Sequence, residues 1–451
     1  MPPRITNLHS NSISIIGGGL AGCEAAWQAA NRGCQVKILE MKPNRFSAAH
    51  VSPYLGELVC SNSLRAADPH SAVGLLKEEM RLLNSLLMAI AEETKVPAGK
   101  ALAVDREQFA GLITKRLEAH PLITIVRNEA TEIPPPDHDQ PTIIATGPLT
   151  SDALTQELKK ITGDEHLAFY DAIAPIIAAD SLDRSIVYEA SRYDDGPGDY
   201  LNCPLDHEQY LIFLDALKKA DKVTLKSFEE PRYFEGCLPI EVMVERGDDT
   251  PRFGPMKPVG LPDPRTGLEP YAVVQLRKEN REAISYNMVG FQTKLTYAGQ
   301  KAVFSLIPGM AKAEFLRLGS IHRNTFVCGP LILEPTLQLK LRPDLFLAGQ
   351  ITGVEGYVES IAMGLLAGIN ACRLAQGQNP VIPPPLTALA ALIRHLTESD
   401  PKHFQPSNIN FGLFPGLDKK IPKKFRGKHR AEQALFSLQQ WIHTEQINPG
   451  H

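Results

Sequence analysis

Ser12-Ile13-Ser14-Ile15-Ile16-Gly17-Gly18-Gly19-Leu20-Ala21-Gly22 decides the fold. The five residues before the glycines read as a buried strand. The Ala-rich stretch through Asn31 reads as a helix ended by Gly33, and Gln35-Val36-Lys37-Ile38-Leu39-Glu40 as a second strand. Strand, glycine turn, helix and strand make a βαβ unit. Within Gly17-x-Gly19-x-x-Gly22 the first glycine permits the tight turn. The second lets the backbone approach a pyrophosphate, and the third lets helix and strand pack closely. Gly17, Gly18, Gly19, Leu20, Ala21 and Gly22 are therefore the expected pyrophosphate-facing set, at a helix N-terminus whose free N–H groups favour anions. Glu40, about 20 residues on, is placed to accept hydrogen bonds from a ribose. An acid there, rather than Arg, disfavours a 2′-phosphate, so the resident dinucleotide is expected to be FAD or NAD.

Working outward, Thr142-Ile143-Ile144-Ala145-Thr146-Gly147 is a strand closing into glycine. Phe346-Leu347-Ala348-Gly349-Gln350 is another, followed by a small-residue helix to about Arg373. A late strand ending in Gly349, ahead of a helix that carries Glu355, Gly356 and Tyr357 near its start, resembles the second FAD contact of glutathione-reductase-type flavoproteins. Those proteins often carry Asp where this chain has Gln350. The expected class is α/β: a glutathione-reductase-like FAD-binding Rossmann domain with an inserted mixed α/β domain and a helical C-terminal region. The expected spans are 1–193 and 309–380 for the FAD-binding domain and 194–308 for the insertion. A helical region with a basic patch is expected over 381–451. Between them, 50–71 reads as a long loop, 72–93 as one helix and 105–119 as another.

Length and composition fit a multidomain enzyme: 451 residues, 43% hydrophobic and 22% charged, with a formal net charge of −4. That charge gives no support for RNA binding by itself, since a local basic patch does such work. The segment from Lys419 to Arg430 is such a patch, and Arg65 and Lys294 are further candidates. The seven cysteines have no C-x-x-C pair, which argues against a zinc site or a disulfide framework. No membrane span or signal peptide is read, so the cytoplasm is the expected location.

Four stretches carry a resemblance to one family. They are Gly56-Glu57-Leu58-Val59-Cys60-Ser61-Asn62-Ser63, Tyr233-Phe234-Glu235-Gly236-Cys237-Leu238-Pro239-Ile240-Glu241, Gly349 to Ser360, and Asn408-Ile409-Asn410-Phe411-Gly412-Leu413. Together they resemble the TrmFO family, folate- and FAD-dependent tRNA (uracil-C5) methyltransferases of the T-loop uridine. The resemblance implies a one-carbon unit from 5,10-methylenetetrahydrofolate, with reduced FAD completing the methyl group and NAD(P)H recharging it. It implies tRNA as partner, with no obligate protein partner expected. It also implies Cys237 as nucleophile and Cys60 as base or flavin-side thiol, since uracil C5 reacts only after a thiolate adds to C6. Gly147, Gly349, Gln350, Glu355 and Tyr357 join the expected cofactor set, Tyr357 as a ring that stacks or simply packs. Cys23, Cys34, Cys203, Cys328 and Cys372 read as small buried hydrophobes. Two competing readings are a GidA-type wobble-uridine-modifying flavoenzyme and a non-methylating RNA-binding flavoprotein.

Overall fold

A computed structural model of the chain describes residues 11–163, 167–192, 198–223, 233, 238–417 and 420–448. Its first sheet has six strands in the order Gln338–Leu339, Arg342–Leu347, Thr142–Ile144, Ser12–Ile16, Gln35–Leu39 and Ile123–Val126. All neighbours are parallel except the hairpin at the edge. Parallel strands need covered faces, and these are accordingly Ile-, Val- and Leu-rich. The strands Ser12–Ile16, Thr142–Ile144 and Arg342–Leu347 end side by side. The three glycine-bearing turns expected from the sequence thus open at one edge, outside the strands' carboxyl ends, where α/β sheets bind ligands.

Two helices cover the centre of this sheet and touch each other along their backbones. Leu20–Ala30 is built mostly of alanine, and Tyr357–Ala375 carries Gly364 and Gly368 one turn apart. A Cβ at Gly364 would fall 2.2 Å from the carbonyl oxygen of Ala21, and one at Gly368 would fall 2.5 Å from that of Ala25. Only glycine permits this approach. The Tyr357–Ala375 helix is long and apolar enough to cross a membrane, yet 83% of its apolar window is buried inside the protein. It is a core helix.

The second sheet is antiparallel throughout, in the order Tyr188–Ala190, Tyr200–Leu205, Ala272–Lys278, Ser285–Met288, Ile176–Ala178 and Phe315–Arg317. It draws strands from both sides of the 194–308 span. Short strands with distant partners account for this, because Ile177 pairs with Phe315 across more than a hundred residues. An antiparallel pair, Leu167–Ile173 with Ser320–Phe326, joins the two sheets in sequence.

Two local expectations differ from the structure. The stretch 72–93 forms two helices, Ala72–Leu82 and Leu86–Glu93, broken at Asn84, whose φ is +57°. Ser85 caps the second helix through Met88 N–H, and the buried carboxylate of Glu24 takes both the Ser85 hydroxyl at 2.8 Å and Leu87 N–H at 3.1 Å. The leucine periodicity runs on through the break, so only the caps mark it. The 50–71 loop contains a short strand, Ser63–Ala66, paired with Ala101–Val104.

Gly364→Val should lower unfolding free energy by about 1–3 kcal/mol, the usual cost of overpacking, measured by denaturant titration. Unchanged stability would mean that the helix contact is not tight.

Candidate cofactor cleft and the Cys60 loop

A cleft of about 1060 Å³, its mouth included, runs along the carboxyl edge of the first sheet. Glu40 and Lys42 line one end. Gly17, Gly19, Leu20, Ala21 and Gly147 line the middle, and Gly349, Gln350 and Tyr357 the other end. Gly18, Gly22 and Glu355 stand behind this wall rather than on it.

The three motif glycines differ in what surrounds them, as their separate roles require. Gly17 has φ +105°, so it makes the turn that L residues resist. A Cβ on Gly22 would lie 1.9 Å from Gly17 O, so it allows helix and turn to meet. A Cβ on Gly19 would meet nothing within 4 Å, because that face is open. Gly19 is the N-cap of the Leu20–Ala30 helix without a side-chain cap and with no acid in the first turn. An open backbone beside uncapped N–H groups suits a pyrophosphate. The carboxylate of Glu40 is buried, pinned by Gly18 N–H at 2.7 Å and Lys42 N–H at 2.9 Å, and lines the cleft. These residues fit a dinucleotide with free ribose hydroxyls.

At the far end the chain folds back on itself. Gln350 donates Nε2 to Glu355 at 2.6 Å. Glu359, fully buried, takes Arg65 Nη1 at 2.7 Å and Ile409 N–H at 2.9 Å, and burial pushes its carboxyl up. The Gly349–Ser360 and Asn408–Leu413 stretches, far apart in sequence, thus meet at one place. Arg65 is tied there too, at φ +65° and 40% side-chain exposure.

Cys60 sits on a loop held from several sides. The Tyr357 hydroxyl accepts Cys60 N–H at 2.6 Å and Ser61 N–H at 3.1 Å. Burial, then the neighbouring Cys60, push that phenol up, so it stays protonated. Beyond the stacking or packing expected of it, the Tyr357 ring lines the cleft and its oxygen anchors the thiol loop. Upstream, Lys42 and Glu57 form a buried ion pair at 3.1 Å, and Glu57 also takes Val51 and Ser52 N–H. Downstream, Asn62 donates to Val104 O and Lys278 O, both at 2.9 Å. Among the six described cysteines Cys60 alone is partly exposed; Cys23, Cys34, Cys203, Cys328 and Cys372 are buried, and burial pushes the Cys203 thiol up to about 12. Cys237 lies outside the described residues.

Of the basic candidates, Lys294 is 13% exposed, paired with Glu245 at 3.4 Å and set over the Tyr233 ring. Lys419 lies outside the described residues. Lys423, Lys424, Arg426 and Lys428 stand exposed on the first turns of the Lys423–Thr444 helix. Gly427 packs this helix on His70 O, beside the start of the Ala72–Leu82 helix. Sequence reasoning missed Lys42, Arg106, Arg277 and Arg317. Each comes from a distant element, and only Lys42, two residues past Glu40 and next to Pro43, carried a local hint.

A family model described as Glucose inhibited division protein A matches residues 12–379. The methylenetetrahydrofolate--tRNA-(uracil-5-)-methyltransferase TrmFO of Desulfotalea psychrophila is 64% identical over 97% of this chain and 98% of its own length. That of Geobacter sulfurreducens is 59% identical over 96% of this chain and all of its own length. Among solved structures, Aquifex aeolicus GidA superposes with a TM-score of 0.72 at 17% identity, over 98% of this chain and 74% of that one. That likeness shows the FAD-binding Rossmann-type α/β fold.

Gly19→Ala should leave the melting temperature nearly unchanged but lower flavin content, because its Cβ points into the open cleft. Gly22→Ala should lower the melting temperature itself. Equal effects on folding at both positions would contradict this assignment. Tyr357→Phe leaves two loop amides without their acceptor, which costs about 1–3 kcal/mol, and should speed alkylation of Cys60 by iodoacetamide. An unchanged labelling rate would show that the hydroxyl does not hold the loop.

Proposed function

The chain belongs to the TrmFO family, and we propose that it transfers the one-carbon unit of 5,10-methylenetetrahydrofolate to C5 of the T-loop uridine of tRNA. Identities of 56–64% along nearly the whole chain make it a folate-dependent tRNA (uracil-5-)-methyltransferase. The single observation that supports thiol chemistry beside a flavin is the held position of Cys60. Its amide is bound by a residue that also lines the dinucleotide cleft.

In this reading Glu40 takes the ribose, and the backbone from Gly17 to Gly22 takes the pyrophosphate. Gly147, Gly349, Gln350, Glu355 and Tyr357 surround the ring end. Bound FAD supplies the reducing equivalent that completes the methyl group, renewed by NAD(P)H. The Tyr357–Ala375 helix points its uncapped N-terminus at that end, where its dipole favours developing negative charge. The target base must be everted to enter the cleft. The Cys237 thiolate then adds to C6 and makes C5 a nucleophile. After C5 takes the one-carbon unit, Cys60 accepts the C5 proton, and that electron pair expels the carrier and leaves a methylene on C5; once a hydride completes the methyl group, the ring double bond returns and the Cys237 sulfur leaves C6. Lys423, Lys424, Arg426 and Lys428 are assigned to tRNA phosphates, and a cytoplasmic setting suits the free thiols.

Cys60→Ala and Cys237→Ala should each abolish methyl incorporation into undermodified tRNA while the purified proteins keep their flavin absorbance. Methylation surviving either change would overturn the role assigned to that thiol. Replacing Lys423, Lys424 and Arg426 together by Gln should weaken tRNA binding and reduce the slope of log K against log salt by about 0.9 per lost phosphate contact. A slope equal to that of the unaltered enzyme would place the RNA on another face.

A further inference from the structure

Two guanidinium groups hold the Cys60 loop, and a third, from another element, lies within electrostatic range of it. Arg106, at the start of the Arg106–Glu118 helix, donates Nη1 to Leu58 O at 2.5 Å and forks onto Glu279 at 2.9 and 3.1 Å. Arg277 donates Nη2 to Ser61 Oγ at 2.7 Å and Nε to Asn62 Oδ1 at 2.8 Å. Arg317, at the end of the Phe315–Arg317 strand, donates Nη2 to Ala49 O at 3.0 Å. It lies within electrostatic range of Arg106, Tyr357, Glu57 and Cys60.

The charges do not balance locally. Glu279 answers Arg106, and Glu57 is already paired with Lys42. Arg277 is buried with neutral partners. Arg317 is half-buried, and among the described residues it pairs with no carboxylate; its one hydrogen bond is to a carbonyl. Holding a partly desolvated cation beside Arg106 with no carboxylate of its own costs free energy that an arriving anion would offset. A planar fork with unused N–H groups is shaped for a two-oxygen anion.

We infer that Arg317, with Arg106 near it, is an oxyanion subsite beside the Cys60 loop that takes a phosphate or carboxylate group of the substrates. The inference rests on the tRNA-methyltransferase reading for its ligands. That reading offers two sources of the same chemistry: a phosphodiester flanking the everted uridine, and the glutamyl carboxylates of the folate.

The test is equilibrium binding to the flavin-loaded protein, with Arg317→Gln compared against the unaltered chain. Undermodified tRNA and methylenetetrahydrofolate are titrated separately, each at several salt concentrations. A phosphodiester source predicts roughly 10-fold weaker tRNA binding, the size of a lost charged hydrogen bond, and a salt slope smaller by about 0.7. Folate binding is then unchanged. A carboxylate source predicts roughly 10-fold weaker folate binding, unchanged tRNA binding, and no effect on a tetrahydropterin that lacks the glutamate. Both affinities staying within twofold overturns the subsite. Protection of Arg317 from phenylglyoxal, followed by peptide mass spectrometry on the unaltered protein, gives the same answer without any variant. Slower modification under tRNA or folate supports the subsite, and equal modification with and without both overturns it. Because these are binding readouts, an absence of methyl transfer alongside a clear Arg317 effect would reject the proposed function alone.

Discussion

Everything at the cleft depends on two helices that meet backbone to backbone. With Gly364 against Ala21 and Gly368 against Ala25, the Leu20–Ala30 and Tyr357–Ala375 helices pack closer than any side chain would allow. Both begin at glycines without side-chain caps, Gly19 and Gly356. Two uncapped N-termini therefore reach the carboxyl edge of one sheet, and their free N–H groups and dipoles point toward whatever lies there. Gly349 completes the contact at φ +79°, where a Cβ would come 2.8 Å from that of Ala21. A cleft wall built from backbone suits an anionic, extended ligand, because it offers N–H donors at fixed positions and no side chains to displace.

The second sheet acts on this cleft through charge rather than through bulk. Along Ala272–Lys278 and the next residue, alternate side chains face opposite ways, so Arg277 and Glu279 share a face. That face meets the first domain: Arg277 reaches Ser61 and Asn62, and Glu279 reaches Arg106. Leu276, facing the other way, belongs to the apolar core of its own sheet. One strand thus packs its own domain with one side and fixes the thiol loop with the other. Truncating one member of a buried ion pair is costly because the partner stays charged. Both Arg106–Glu279 and Lys42–Glu57 are such pairs, and they bracket the Cys60 loop between them.

Much of the first domain was legible in the sequence because its signals are local. Ser12–Gly22, Thr142–Gly147 and Phe346–Gly349 each carry their own strand, turn and glycine, Gln35–Glu40 carries its strand and terminal acid, and each forms the element read from it. The second sheet was less legible for the opposite reason. Ile176–Ala178 and Phe315–Arg317 are three residues each and become strands only by pairing with each other and with Ser285–Met288. The break at Asn84 was written in an Asn-Ser pair that the leucine pattern outweighed. The sequence marked Glu40 and Tyr357 separately and both line the cleft, but the bond between Tyr357 and the amide of Cys60 spans 297 positions. No spacing rule reaches that far. The arginines around Cys60 were invisible for the same reason, since each looks like an ordinary surface charge in its own stretch.

The restraint on Cys60 has a consequence for how the reaction partners must meet. Its amide is bound by Tyr357, the carbonyl two residues earlier by Arg106, and the next two side chains by Arg277. A loop bonded at this density pays its ordering entropy on folding rather than at each turnover. The thiol therefore cannot travel far to find a base. In the proposed reaction the nucleic acid would bring the pyrimidine to it, with eversion from the stack as the motion that does so. A site with one fixed sulfur, a backbone-walled cleft and excess positive charge leaves the polyanion as the mobile partner. Where the Arg317 subsite takes a phosphodiester, the phosphates would be the handle by which the protein holds the base in place while the chemistry runs.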